Sequence, residues 1–508
     1  MKTNKKTMGI ILILLTMMFS IINASPAYAA FIFSNKTTSN GLGSNKVNGV
    51  FLNGSTIYAA TENGLSISTD GGSSFVNRTV NDGLGHNYVY GVFASGSSVY
   101  AGTAMGLSIS SDSGVSFINK TTASGLGNKA VTGVQVSGGK IFASTFGGLS
   151  ISSDGGTSFT NKTSANGLGD NMVRGVYVSG TTIYAATDGG VSISTNGGTS
   201  FVNRTTANGL GSNAVYGVFT SGTRVYAATT GGLSISTNSG ASFDNKTTAD
   251  GLGNNITAGV FVSGSMVYVA TWDGLSVSEN GGSSFFNYNS TSGLGSNSAF
   301  GVFASGSTAY AATSGGLSIG KNLLTSRSLY VNDGWILEST QTSAVGGWMN
   351  STSLYLRLGD DAANRQYRVI LHFDTSYLPD TAVVTKATLK LKKQGMVGTN
   401  PFTILGTLRA DMLKPFFGFT AELQLIDFQA IAGKSSAALF SPTPISDWYI
   451  APFTAAGRAY INLMGTTQFR LYFLTGDNGN SKADYLQVYS GNYTAGNRPT
   501  LVMEYYVP

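Results

Sequence analysis

Apolar and polar residues alternate in short bursts along residues 31–322, and the bursts return at a fixed interval. A phenylalanine opens each unit at Phe33, Phe75, Phe117, Phe159, Phe201, Phe243 and Phe285, always 42 residues apart. Within the unit opened by Phe75, apolar alternation over 88–94, 97–103, 106–110 and 115–119 predicts four short strands. Ser95-Gly96 supplies a tight turn between the first two, and its equivalents recur at Asn53-Gly54, Ser137-Gly138, Ser179-Gly180, Ser221-Gly222, Ser263-Gly264 and Ser305-Gly306. Four strands in about 42 residues is the pattern of a propeller blade.

The last unit stops after three strand segments, near Gly320, while a spare fourth segment, Phe31 to Lys36, stands at the other end. The expectation is a seven-bladed β-propeller whose N-terminal strand completes the last blade and removes exposed sheet edges. An open solenoid would need no such exchange.

The pattern breaks after the repeats. Residues 323–327 read as a short linker, and 328–508 as a second all-β domain. Alternation over 368–373, 387–392 and 468–473 marks strands, and 423–432 reads as one short helix. The fold class is therefore all-β: a propeller followed by a jelly-roll-like β-sandwich. Residues 1–29 read as a signal peptide: Lys2, Lys5 and Lys6, then apolar 8–22, then Ala27-Tyr28-Ala29. This predicts a secreted protein with no membrane span after cleavage.

Composition narrows the chemistry. Charged residues are 11% and hydrophobic residues 42%, too apolar for a disordered chain. Three of the 30 Lys and Arg lie in the leader, so the remainder exceed the 24 acidic residues by only three, and no basic run points to nucleic acid. There is no Cys, and only His86 and His372, which leaves no thiol chemistry and little room for histidine-based sites.

The turn Ser68 to Phe75, STDGGSSF, resembles the Asp-box of bacterial-neuraminidase-type repeats. Asp70, Asp112 and Asp154 hold its acidic position, and Asn196, Asn238 and Asn280 replace it in later copies. An Asp or Asn folded onto nearby N–H groups staples a hairpin, and the exchange for Asn favours that role over metal or glycan binding. The stretches NGLGxNxVxGV and YAATxxGLSIS are similar to the propeller repeats of two-component regulators, which implies the same fold and ligand sensing.

Columns that vary between near-identical copies are the candidate binding positions. One holds Glu62, Phe146, Asp188 and Trp272 after the second strand, with Asp273 beside the last; another holds Tyr90, Arg174 and Tyr216 in the first strand; a third holds Ser44, His86, Asn128, Asp170, Ser212, Asn254 and Ser296 just before that strand. All three fall at one end of a propeller channel. Aromatic rings there suit sugars or peptides, and charged groups supply selectivity.

The second domain carries DGWI from Asp333, LRLG from Leu356, YRVILHFDTSYLP from Tyr367, VTKATLKL from Val384 and NRPTLVMEY from Asn497. In that order these resemble the DNRLRE-type domain, a jelly-roll module related to carbohydrate-binding families. The resemblance implies a polysaccharide or cell-surface glycan as partner, with Trp335, Trp348 and Trp448 as candidate sugar platforms. Arg368, beside Asp374, and Arg498 read as structural ties. Asp477, Asn478, Asn480 and Asp484 form an oxygen-rich loop and a candidate calcium site.

No catalytic constellation stands out. Of four arginines in the repeats, Arg78 and Arg204 share a column with lysines, leaving Arg174 and Arg224, too few for a sialidase triad. Glu62 and Asp188 are the one carboxylate pair that could face each other. The expectation is a secreted, non-enzymatic binding protein at the cell surface or matrix. The alternatives are a glycan-active hydrolase or lyase on the propeller face, and an adhesin or scaffold with a protein partner.

Overall fold

The computed structural model describes residues 28–507; the expected leader lies outside them except for its last two residues. The described chain divides into two compact units, Phe31–Asn322 and Leu323–Tyr506.

The first unit is a β-propeller. Six separate four-stranded antiparallel sheets follow one another, the first built from Val47–Asn53, Thr56–Thr61, Gly64–Ser68 and Val76–Arg78. Each hairpin turn sits where the sequence places it, with Gly96 at φ 58° between Val89–Ser95 and Ser98–Thr103. The expected seventh sheet is not separate. Its strands Ala299–Ser305 and Thr308–Thr313 pair in the same register as the others, and the N-terminal strand Tyr28–Lys36 pairs with the third, Gly316–Arg327. That third strand runs on through the expected linker. Up to Lys321 it pairs with Thr308–Thr313, and from Leu323 to Arg327 it pairs with Thr500–Tyr506. Burial alternates without a break, Leu324, Ser326 and Ser328 inward, so residues 323–327 are strand rather than joint.

Neighbouring blades share their cores. Tyr184, Val191 and Ile193 of one repeat pack with Val215, Val225 and Phe243 of the next. Leu42, Val47 and Phe75 of the first pack with Ala312, Leu317 and Ile319 of the last, closing the ring. First strands of adjacent blades meet at glycines. A side chain added at Gly49 would come within 3.3 Å of the Tyr90 carbonyl oxygen, a tight approach that favours the bare backbone there. At the seam, the rings of Phe31 and Phe33 lie 5.5 and 5.9 Å from Tyr288.

The second unit is a many-stranded antiparallel sheet consistent with a sandwich. The long strand Val383–Val397 shifts register between Lys393 and Gly395. Before the shift it pairs with Thr500–Tyr506 and Trp448–Pro452; after it, with Asp484–Tyr489. The sheet then continues through Tyr355–Asp360, Gln366–Asp374, Thr466–Phe473, Leu408–Leu413 and Lys434–Leu439. The two parts share an aromatic core, with Phe453 against Phe469 and Phe402 between Tyr449 and Phe473.

The helix expected over 423–432 is only the 3-10 turn Leu425–Phe428. Arg470 donates to the carbonyls of Asp427, Phe428 and Ala430, and Arg368 to that of Phe428. Carbonyls that a helix would use internally are committed to the sheet. Arg368 is thus a structural tie, to this loop rather than to Asp374. Arg498 is another, donating to the Tyr493 carbonyl at 2.9 Å.

Candidate functional site

In the propeller the columns after the second strand and in the first strand lie side by side in each blade. Backbone N–H groups of Glu62, Ala104, Asp188, Thr230, Trp272 and Ser314 bond to carbonyls just before each first strand, which fixes the variable loops beside the channel strands. Their side chains form two groups. Lys46 bonds Glu62 at 2.7 Å and lies 5.5 Å from the Phe300 ring; Tyr88 and Tyr90 are 4.7 Å apart, and Phe146 is 6.3 Å beyond Tyr90. Arg174 grips Asp188 through both Nε and Nη2 and covers Tyr216 at 4.4 Å. The Asp188 carboxylate raises the Arg174 pKa further. Glu62 and Asp188 are therefore each matched to a cation of their own blade. Trp272 is 51% exposed, and Asp273 accepts from the Asn297 amide at 2.8 Å. Lys46 and Tyr88, not singled out from sequence, occupy a fourth column that varies as strongly as the others.

The Asp-box positions make local bonds only. Asp70 accepts from the Ser74 N–H and hydroxyl and from the Ser68 hydroxyl, which itself accepts from the Gly72 N–H. The Ser74 N–H, then the two hydroxyls, hold the carboxyl well below the usual range. Asp112 and Asp154 repeat the pattern. Asn196 keeps the turn, accepting from the Ser200 N–H and donating to its hydroxyl; Asn238 and Asn280 do the same with Ser242 and Ser284.

In the second unit, Trp335 and Trp348 fall on neighbouring strands and meet a set of residues that sequence reading missed. Arg357 lies 5.3 Å from the Trp335 ring, 5.7 Å from Tyr367 and 5.3 Å from Tyr485, and donates to the Tyr367 hydroxyl at 3.2 Å. The Trp335 indole N–H is buried with no hydrogen-bond partner among the described residues. Trp348 is 54% exposed, with Arg365 stacked at 4.7 Å and anchored to Asp361. Tyr355, Tyr489 and Tyr493 continue the aromatic strip, the last two 4.4 Å apart. The signal was the period-2 alternation of Tyr355 with Arg357 and of Tyr485 with Tyr489, which puts each pair on one sheet face. Trp448 is elsewhere. Its half-buried ring has Lys390 and Lys392 at 5.0 and 5.8 Å.

The oxygen-rich loop is held by N–H donors. Asp484 accepts from the side-chain amides of Asn478 and Asn480 and from the Thr399 N–H. Burial pushes its carboxyl up, but these donors outweigh burial and hold it low. Asp477 accepts from Gln341 and the Gly479 N–H. Asp360, the register partner of Asp484, was not anticipated: it is fully buried, one of its oxygens has no hydrogen-bond partner among the described residues, and burial raises its pKa to about 6. Among the described residues no three His, Cys, Asp or Glu side chains converge on a metal-sized space.

No family model matches the chain, and no curated protein matches it. Among solved structures it is similar to the extracellular domain of BT4673 from B. thetaiotaomicron, at 16% identity and a TM-score of 0.48, covering 68% of this chain and 46% of that one. The chain thus spans under half of that structure. It is also similar to YCF48 from Cyanidioschyzon merolae (14% identity, TM-score 0.44, 57% and 98%) and to PorZ of Porphyromonas gingivalis (13%, 0.42, 67% and 51%). Among the described residues no helix is long and apolar enough to cross a membrane.

Proposed function

We propose that this is a secreted, non-catalytic binding protein whose second unit engages a polysaccharide at the cell surface or matrix. In this reading the propeller is a seven-bladed ring closed by the N-terminal strand, its Asp-box-like turns are structural, and the second unit is a DNRLRE-like jelly roll. The observation that carries the reading is the strip formed by Trp335, Arg357, Tyr367 and Tyr485, with the half-exposed Trp348 beside it. The half-exposed Trp348 ring presents a C–H-binding face, Tyr367 is buried behind the strip, and Arg357 has planar N–H donors that can read a hydroxyl or carboxylate edge. The ion pairing of Glu62 and Asp188 supports a role without catalysis. A protein partner at the propeller face is the second reading, favoured by the half-exposed Trp272.

Affinity-gel electrophoresis of the full chain against neutral and acidic polysaccharides tests the reading. A Trp348→Ala or Arg357→Gln change should weaken binding at least tenfold, about 1.4 kcal/mol, in protein that melts normally. Unchanged retention in both variants would overturn the assignment of this strip.

A further inference from the structure

A second face of the C-terminal unit lies apart from the aromatic strip. Its register rows can be read across four strands. Leu323, Glu504 and Lys386 form one row; Thr325, Val502, Thr388 and Pro452 the next. Arg327, Thr500, Lys390 and Ile450 follow, and Lys392 with Trp448 ends the series. Residues sharing a row share a face, and the intervening Ala387, Leu389 and Leu391 are buried. This face therefore carries Arg327, Lys386, Lys390 and Lys392 against one carboxylate, Glu504. Lys386 is 63% exposed and meets Glu504 only at 3.7 Å. Lys390 and Lys392 are propped on the Trp448 ring, and Lys392 also donates to the Asn497 amide oxygen at 2.9 Å. Between them runs an open groove of about 390 Å³ with Val502, Ile450 and Pro452 along it.

We infer that this lysine-bearing face is a binding site for a sulfated glycan strand, separate from the aromatic strip. Ammonium groups on flexible stems act as point charges, which suits the tetrahedral sulfate half-ester. The planar forks of Arg357 and Arg365, better matched to carboxylates, belong to the aromatic strip. Along the strand, Lys386 and Lys390 are about 13 Å apart and Lys390 and Lys392 about 7 Å. That spacing lets successive charged groups of one extended polymer be met in turn. The aliphatic side chains of the groove fit the C–H faces of sugar rings, which a bare inorganic polyanion lacks.

Heparin-agarose retention of the full chain at low salt is the test, with soluble polyphosphate as competitor. Wild-type protein should bind and elute as salt rises, because the contact is between exposed charges. The combined Lys386→Gln, Lys390→Gln and Lys392→Gln variant should bind at least tenfold more weakly. Lys386→Glu alone, at an exposed position, should elute at distinctly lower salt. Trp348→Ala should elute with the wild type, so failure of the aromatic-strip reading and failure of this one are separable. The inference is overturned if wild-type protein does not bind heparin, if the triple variant binds as tightly as wild type, or if polyphosphate outcompetes heparin at equal charge.

Discussion

The propeller and the C-terminal unit hold themselves together by different means. Blade by blade, the propeller repeats one solution. Ser66 donates to Asn77, Asn77 donates back to the Asn63 carbonyl, and the same triangle recurs at Ser108 with Asn119 and at Ser150 with Asn161. Loss of one copy leaves the others intact. In the C-terminal unit single buried groups do work that nothing duplicates. Arg470, 6% exposed, bonds Asp411 at 3.0 Å, holds three carbonyls of the 427–430 loop and lies 4.8 Å from the Phe417 ring. Redundant bonding suits a frame on which loops vary. Bonding concentrated in a few residues suits a unit whose loop and face must keep one geometry.

The sharpest break of this contrast is Arg470→Ala. It leaves Asp411 buried with the Tyr472 hydroxyl and the Ser436 N–H, and frees the Asp427 and Ala430 carbonyls, while that of Phe428 keeps Arg368. Removing one partner of a buried ion pair costs about 3–5 kcal/mol. In denaturant titrations of the full chain, the fluorescence change contributed by Trp335, Trp348 and Trp448 should move to lower denaturant. That of Trp272, the one tryptophan of the repeats, should stay in place. If both move together, the two units are not independent in stability.

Asp360 sharpens the same point with pH. Its folded carboxyl titrates at about 6, against an ordinary value of 3.8, mainly because it is buried. The raised value means the folded state holds the proton more tightly, so wild-type stability falls as pH rises from about 4 to about 6 and then levels. Asp360→Asn keeps an acceptor for the Asn478 N–H and removes the buried charge. The variant should match wild type near pH 4 and exceed it by on the order of 2 kcal/mol above pH 7. Chemical denaturation at the two pH values checks this. A variant that is less stable at pH 8 would show that the ionised carboxylate is compensated by a bound cation, as a calcium site would require.

How far each unit could be read in advance follows from the same contrast. The 42-residue interval exposed every blade, because each copy confirms the strand limits of the others. It failed at one seam. Leu323 to Arg327 departs from the repeat and looked like a linker, although the alternation of Leu324, Ser326 and Ser328 continues the strand. The variable columns were legible as positions but not as partners: Lys46 with Glu62 and Arg174 with Asp188 emerge only when the loops meet. In the C-terminal unit Trp335 and Trp348 were visible, whereas Arg357, Tyr367 and Tyr485 come from three strands with no common spacing. Nothing local to Trp448 shows that two lysines from a distant strand lie against its ring. The 423–432 segment has helical composition, and it lost the helix to Arg368 and Arg470, which lie far away in sequence.

The smallest expected effect lies in the repeats. Asp70→Asn should barely change the thermal midpoint at pH 7, while Asp70→Ala should lower it modestly. Asn196, Asn238 and Asn280 show the physical reason. Each accepts from the backbone N–H four residues on and from the preceding Ser hydroxyl, and its own amide replaces the hydroxyl contact that Asp accepts. Alanine keeps none of these bonds and leaves the Ser74 N–H to water. The carboxylate adds one thing that Asn cannot. Its depressed pKa contributes stability that is present above pH 3.8 and lost as the pH falls through the lower folded value. Any gap between wild type and Asp70→Asn should therefore narrow on acidification, while the gap to Asp70→Ala should persist. Thermal melts of the three proteins at pH 7 and pH 3 resolve the two contributions. An Asn variant as unstable as the Ala variant at pH 7 would mean that the charge, and not the turn, is what Asp70, Asp112 and Asp154 are kept for, and the purely structural reading of these turns would fall.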